Sequence, residues 1–436
     1  MGMKFTEDQQ RVIDLRNCNI LVSAAAGSGK TAVLVERIVE LVSGSGCDSA
    51  QAVDIDRLLI VTFTNAAAAQ MRERITKALS DRVEAEPDNE HIKKQLMLIH
   101  NAKIMTIHSF CLYLIKNHFN DIGLDPDFRT ADEGEIRLLK QEVLSELLEE
   151  QFALGRQEFT DCVEYFAYDG REKRLEELIE RLYTFSGSYP FPEKWLRQHR
   201  MDYHVETFEE LVKTEWFAGM MKEISALLQE CKEQEKAALK VCEEPDGPYM
   251  YADMLEEDLR GIEKIRKCSD FAEMYDAADR FVWKTLSRKK DDSVSAEKRE
   301  SVKALREQAK KAIAGVKETY FYAPESVWKE DMVSAGESVK TLVSLVKLFA
   351  EKFAEKKRGR NMIDFNDMER FALDILTEEK NGELVPSAVA GEYAKQFEEI
   401  MIDEYQDSNF VQETILTSVS GQAEGKNNIF MVGDVK

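Results

Sequence analysis

Apolar residues follow two different rhythms along this chain. Over the first 120 residues, short apolar runs alternate with stretches of helical period. Residues 19–22, 58–63 and 104–107 read as buried strands, and 30–43, 66–79 and 110–119 as helices. In the first of these helices Val33, Leu34, Ile38, Leu41 and Val42 share one side. Strands alternating with helices predict a parallel sheet covered on both faces. From about Ala131 to Lys357 the rhythm becomes helical and highly charged, over 133–150, 171–183, 205–240, 254–265 and 296–318. Breaks fall at 186–192 and 244–248, where Gly and Pro cluster, and 287–292 reads as an exposed turn. Strand character returns at 400–402 and 429–432. The predicted fold is therefore α/β: one parallel-sheet domain made of residues 1–125 and 358–436, split by an all-helical insertion over 126–357.

Composition narrows the class. A chain of 436 residues with 44% hydrophobic content is long enough for two or three units with real cores. No apolar run approaches the length of a membrane span, and Lys4 is followed by polar residues rather than a signal-peptide core. The seven cysteines are scattered, with no Cys-x-x-Cys pair. That pattern speaks against a disulfide framework or zinc site and predicts a reducing, cytoplasmic setting. A net charge of −23 weighs against coating DNA with the whole surface. It leaves room for a local groove built on stacking and a few basic contacts.

The chemistry collects where the strands end. Ser23 follows the first, Thr62-Phe63-Thr64-Asn65 the second and His108-Ser109 the third; Asp403 and Gly433-Asp434 follow the last two. In an open parallel sheet the ligand crevice lies along that edge. Ser23 and Ala24-Ala25-Ala26-Gly27-Ser28-Gly29-Lys30-Thr31 make a phosphate loop between strand and helix, with Ala24 where the usual pattern has Gly. Its backbone N–H groups suit the phosphates of ATP, Lys30 the β- and γ-phosphates, and the Thr31 hydroxyl Mg²⁺. Asp403 suits the same metal and Glu404 the attacking water. The plain alternatives are a small-residue turn and two solvated carboxylates. Gln9 reads either as the far half of a capping box with Thr6 or as an adenine contact. Thr62, Phe63, Thr64, Asn65, His108, Ser109 and Phe110 read either as nucleic-acid contacts or as ordinary packing residues.

These segments occur in the order of UvrD-like superfamily 1 helicases, which the chain resembles. The resemblance rests on residues 5–10, 24–31, 61–72 and 106–110, on Asp403-Glu404-Tyr405-Gln406-Asp407, and on Val432-Gly433-Asp434. Residues 22–37 and Phe63-Thr64-Asn65-Ala66-Ala67-Ala68 look most like the AddA branch, and residues 363–368 also look like the family's segment before the acidic box. The resemblance implies a RecA-like P-loop domain, 1A, interrupted by a helical subdomain, 1B. It implies an ATP- and Mg²⁺-dependent 3′→5′ DNA helicase, with exonuclease activity in the whole protein, that processes double-strand breaks for recombination. Implied partners are single-stranded and duplex DNA ends and an AddB-type subunit, with no membrane. Gln9 becomes an adenine contact, the strand-end residues become single-strand contacts, and Gln406 couples γ-phosphate sensing to them. Beyond Lys436 the family continues with a second motor domain and, in the AddA branch, a nuclease domain. The expectation is an N-terminal fragment with weak nucleotide binding and little turnover. Competing readings are a UvrD-like repair helicase without nuclease, a P-loop small-molecule kinase with a helical lid, and a pure binding module.

Overall fold

The computed structural model describes residues 5–25, 27–44, 52–167, 172–201, 203, 205, 207–289, 291–380 and 383–434. Lys4, Ala26, Cys47, Arg171, Lys290, Val435 and Lys436, which entered the sequence expectations, lie outside them. Nine strands are described. β1 (Ile20–Ser23), β2 (Leu58–Thr62), β3 (Lys103–Thr106), β8 (Glu399–Asp403) and β9 (Ile429–Gly433) form one parallel sheet in the order β1-β9-β8-β2-β3. Two short pairs complete the set: β4 (Arg129–Thr130) with β5 (Met362–Ile363), and the hairpin β6 (Thr377–Lys380) with β7 (Glu383–Pro386).

β2 is buried along its whole length because it lies between two helical layers. Leu59 and Val61 point into one core with Ile400 and Ile402 of β8, while Leu58 and Ile60 point into the other with Met401. This period-2 division is what a sheet covered on both faces requires. One layer contains α2 (Lys30–Ser43), α3 (Asn65–Ala85) and α4 (Glu90–Leu98), with α1 (Glu7–Asp14) against α2. The other contains α5 (Ile107–His118), α16 (Phe365–Leu376), α17 (Ala388–Gln396) and α18 (Phe410–Ser418).

A buried arginine ties the first layer to the sheet. Arg37 of α2 pairs with Glu399 at 2.7 Å, and its other nitrogens donate to the carbonyls of Val12 and Leu15 at the end of α1. Its guanidinium also lies 4.8 Å from the Phe430 ring centroid. Replacing one member alone would strand a buried charge, at about 3–5 kcal/mol.

Contacts divide the chain into an α/β unit (Met1–Glu150, Leu178–Trp195, Val346–Lys436) and a helical unit (Gln151–Glu177, Leu196–Leu345). The intervening helices are α6 (Glu133–Leu154), α7 (Gln157–Phe166), α8 (Lys173–Gly187), α9 (Pro192–Met201) and α10 (Phe208–Val212). They continue with α11 (Glu215–Glu243), α12 (Ala252–Arg266), α13 (Phe271–Asp279), α14 (Ala296–Thr319) and α15 (Glu325–Gly359). The expected helix over 205–240 divides at Thr214, whose hydroxyl caps α11 by accepting from the Phe217 N–H. α7, α9, α13 and α15 were not foreseen. In the helical unit Asp258 and Arg306 form a buried ion pair at 2.6 Å. Nearby Glu235 is buried without a hydrogen bond, and burial, with the Asp258 charge, pushes its carboxyl up to about 7.

Candidate nucleotide site and strand-end contacts

The site begins with the glycines of the loop after β1. Gly27 and Gly29 adopt φ of 80° and 85°, a left-handed turn open to glycine without strain. Gly29 is the N-cap of α2 and supplies no side-chain cap. The first N–H groups of α2, Lys30 and Thr31 among them, therefore have no helical partner and can take an anion. Ser23, Ala25, Gly27 and Ser28 are exposed and Ala24 half-buried along this turn; Ala26 is outside the described residues.

Sheet order brings the two distant motifs together. β9 lies between β1 and β8, with Gly433 paired to Ser23 on one side and Val432 to Asp403 on the other. The Ala24 N–H donates to the Gly433 carbonyl at 3.2 Å. Lys30 donates to the Ala24 carbonyl at 3.2 Å and forms an ion pair with Asp434. The Asp434 N–H donates to Gln406 Oε1 at 2.9 Å, and Gln406 Nε2 donates to Glu404 at 2.7 Å. A Cβ on Gly433 would lie 2.6 Å from Gln406 Oε1, so only glycine permits this approach. Lys30, Asp434, Gln406 and Glu404 thus form one continuous polar chain across three strand ends. Asp434 was foreseen as a strand-end residue but not as the lysine's partner.

Two features mark the acidic pair. Burial, reinforced by the Glu404 charge, pushes the Asp403 carboxyl above its usual range, while Lys30 and Arg74 pull it back. Glu404 sits at φ 58°, ψ 44°, a left-handed conformation that costs a non-glycine residue about 1–2 kcal/mol. Such strain concentrates at functional sites. Two adjacent carboxylates within electrostatic reach of Lys30 are a donor set suited to a hard divalent cation. Thr31 follows directly on α2.

Gln9 serves two contacts. Its Oε1 accepts from the Thr6 N–H at 2.9 Å, closing the capping box, and its Nε2 donates to the Ser28 carbonyl at 3.0 Å. The residue that caps α1 therefore also touches the phosphate loop.

The strand-end candidates separate. Phe63 is 60% exposed, and Thr64 and Asn65 are exposed at the start of α3. His108 and Ser109 are half-buried in the first turn of α5. Two expectations are corrected. Phe110 is fully buried against Phe397 and Tyr113, and so cannot stack on a base. Thr62 is also buried, and its hydroxyl donates to the Thr64 carbonyl. The third strand ends at Thr106 rather than residue 107, because the Thr106 hydroxyl caps α5. The largest cleft, about 820 Å³, belongs to the helical unit and is lined by no strand-end residue. Among the described residues no helix is long and apolar enough to cross a membrane.

Comparison with known proteins adds to this geometry. Residues 5–436 match the UvrD/REP helicase N-terminal domain. The ATP-dependent helicase/nuclease subunit (AddA) from Lachnoclostridium phytofermentans is 44% identical over 437 residues, covering 99% of this chain and 31% of that protein. Proteins of the same name from Acetivibrio thermocellus and Bacillus pumilus are 40% and 39% identical, each over 99% of this chain and 35% of their own length. The chain spans about a third of the length of these relatives.

Proposed function

This chain belongs to the UvrD/REP helicase family, and from that premise we propose that it is the N-terminal ATP-binding part of an AddA-type DNA helicase/exonuclease. The observation that carries the reading is β9's position between the phosphate-loop strand and the acidic-box strand, with Lys30 and Glu404 at opposite ends of one polar chain. In this reading Lys30 leaves Asp434 for the β- and γ-phosphates of ATP. Thr31 and Asp403 hold Mg²⁺, which when bound neutralises charge on the phosphate oxygens. Glu404 accepts the proton of the attacking water. Gln406 bridges Glu404 to the Asp434 backbone and so reports what occupies the loop. Gln9 reads adenine while capping α1. Phe63, Thr64, Asn65, His108 and Ser109 form half of a single-strand track, and residues 126–357 are subdomain 1B.

The whole protein would resect DNA double-strand breaks in the cytoplasm, moving 3′→5′ on single strands with an AddB-type partner. The relatives' helicase/nuclease name favours this over a repair helicase without nuclease, and family membership disfavours a small-molecule kinase. The test is Mg²⁺-ATP binding to this chain. Lys30→Ala abolishes binding and Glu404→Gln preserves it; equal binding by Lys30→Ala and wild type overturns the assignment. Turnover by the chain alone stays slow, because an arginine finger from a second motor domain can be worth ~10³–10⁵ in rate. Rapid DNA-stimulated hydrolysis would contradict that.

A further inference from the structure

We propose that Glu369 is a positioning residue for the single-strand track: it fixes the outward face of His108 and ties that residue to the helix behind the acidic box. The inference rests on the reading of His108 as a DNA contact. Glu369 lies on α16, whose other inward residues (Met368, Ala372, Leu373, Leu376) are apolar, and it is only 6% exposed. A carboxylate on such a stripe needs partners, and three side chains supply them. His108 Nε2 lies 3.0 Å from Oε1, Gln412 Nε2 donates to Oε1 at 2.6 Å, and Asn409 Nδ2 donates to Oε2 at 3.0 Å.

Burial alone would push this carboxyl up, yet the bonds from His108, Gln412 and Asn409 outweigh it and hold it below the usual range. The group is therefore an anion at neutral pH and can only accept. His108 must then carry its proton on Nε2, which leaves Nδ1 facing outward. Among the described residues Nδ1 has no hydrogen-bond partner, and the imidazole side chain is one-third exposed. The Phe365 ring, itself 45% exposed, stands 4.8 Å from it and limits its swing. An imidazole held this way offers one oriented lone pair to a donor group on a nucleobase edge.

The other two donors come from the segment after the acidic box. Asn409 is the N-cap of α18: its Oδ1 accepts from the Gln412 N–H at 2.8 Å while its Nδ2 reaches Glu369. Two residues earlier the one-turn helix Tyr405–Asp407 ends, and its cap is the strained Glu404. One carboxylate thus receives both the DNA-side imidazole and the amides that anchor this segment. A shift of residues 404–407 would reach His108 through two hydrogen-bonded side chains.

The test uses this chain, a fluorescent single-stranded oligodeoxynucleotide and ¹⁵N-histidine NMR. In the wild type His108 gives the Nε2–H tautomer; an Nδ1–H signal overturns the proposal without any variant. Glu369→Gln weakens oligonucleotide binding ~5–10-fold, leaves Mg²⁺-ATP affinity unchanged and mixes the His108 tautomers. His108→Ala combined with Glu369→Gln binds no worse than His108→Ala alone, because the carboxylate acts through the imidazole. If Glu369→Gln binds DNA like wild type while Phe63→Ala binds weakly, the track stands and the role of Glu369 falls. If Phe63→Ala and His108→Ala also bind like wild type, the track itself is wrong and the proposal falls with it.

Discussion

β2 and β3 are neighbours in register, with Thr62 opposite Thr106, and each is followed by hydroxyls and a phenylalanine. Their phenylalanines nevertheless have opposite fates: Phe63 is exposed and Phe110 fully buried. The difference comes from where each helix starts. After β2 the cap is Thr64, so Phe63 precedes the helix and its side chain stays outside. After β3 the last strand residue, Thr106, is itself the cap, so Phe110 becomes the fourth helical residue. The fourth residue of α3, Ala68, is buried as well. One helix position thus faces the core in both cases, and two residues of loop decide which phenylalanine occupies it.

The largest test of this contrast is truncation of the two rings. Phe110→Ala should lower unfolding free energy by about 3–5 kcal/mol, measured by denaturant titration, whereas Phe63→Ala should stay within about 0.5 kcal/mol. A comparable loss at both sites would break the comparison. Next comes function: Phe63→Ala should weaken single-strand binding by about 1–3 kcal/mol, read by anisotropy, with ATP affinity unchanged. The caps come third. Thr106→Ala and Thr64→Ala should each cost about 1 kcal/mol. Thr106 should be the costlier in thermal melts, being buried and also paired with the Ser109 hydroxyl at 2.9 Å. The smallest effect concerns acid. The Glu369 carboxyl titrates lower folded than unfolded, so its stabilisation is present above the usual carboxylate pKa and fades as pH falls through the folded value. Glu369→Gln should flatten that acid limb in a pH series of melting curves, and an unchanged limb would remove Glu369 as an anchor of the β3 side.

Much of this architecture was legible in local pattern. All five sheet strands lay within two residues of their observed limits, and α2 begins and ends where its apolar period does. Strand-end polarity also placed the phosphate loop and acidic box on one edge, since parallel strands all finish on the same side. Three kinds of feature were not legible. Phe110 depended on a cap register that residue composition does not encode. The length of α15 was hidden by Gly336, which reads as a breaker but sits where a Cβ would lie 2.5 Å from the Tyr203 carbonyl. The partnerships of Asp434 and Glu369 join residues hundreds of positions apart. For Glu369 the available signal was a single acid on an otherwise apolar helical stripe.

The strand order β1-β9-β8-β2-β3 has a consequence for how the protein is made. The first three strands to leave the ribosome cannot form the sheet by themselves, because the two strands at its middle are the last to be synthesised. β1 waits for β9, and the outer edge of β2 waits for β8, nearly three hundred residues after β3. At ~5–20 residues per second that is roughly tens of seconds with apolar strand edges unpaired. The helical unit emerges during that interval. For the nascent chain, assembling the ATP-binding edge is the final event of translation through this region, and delays downstream of residue 345 should be the ones that aggregate it.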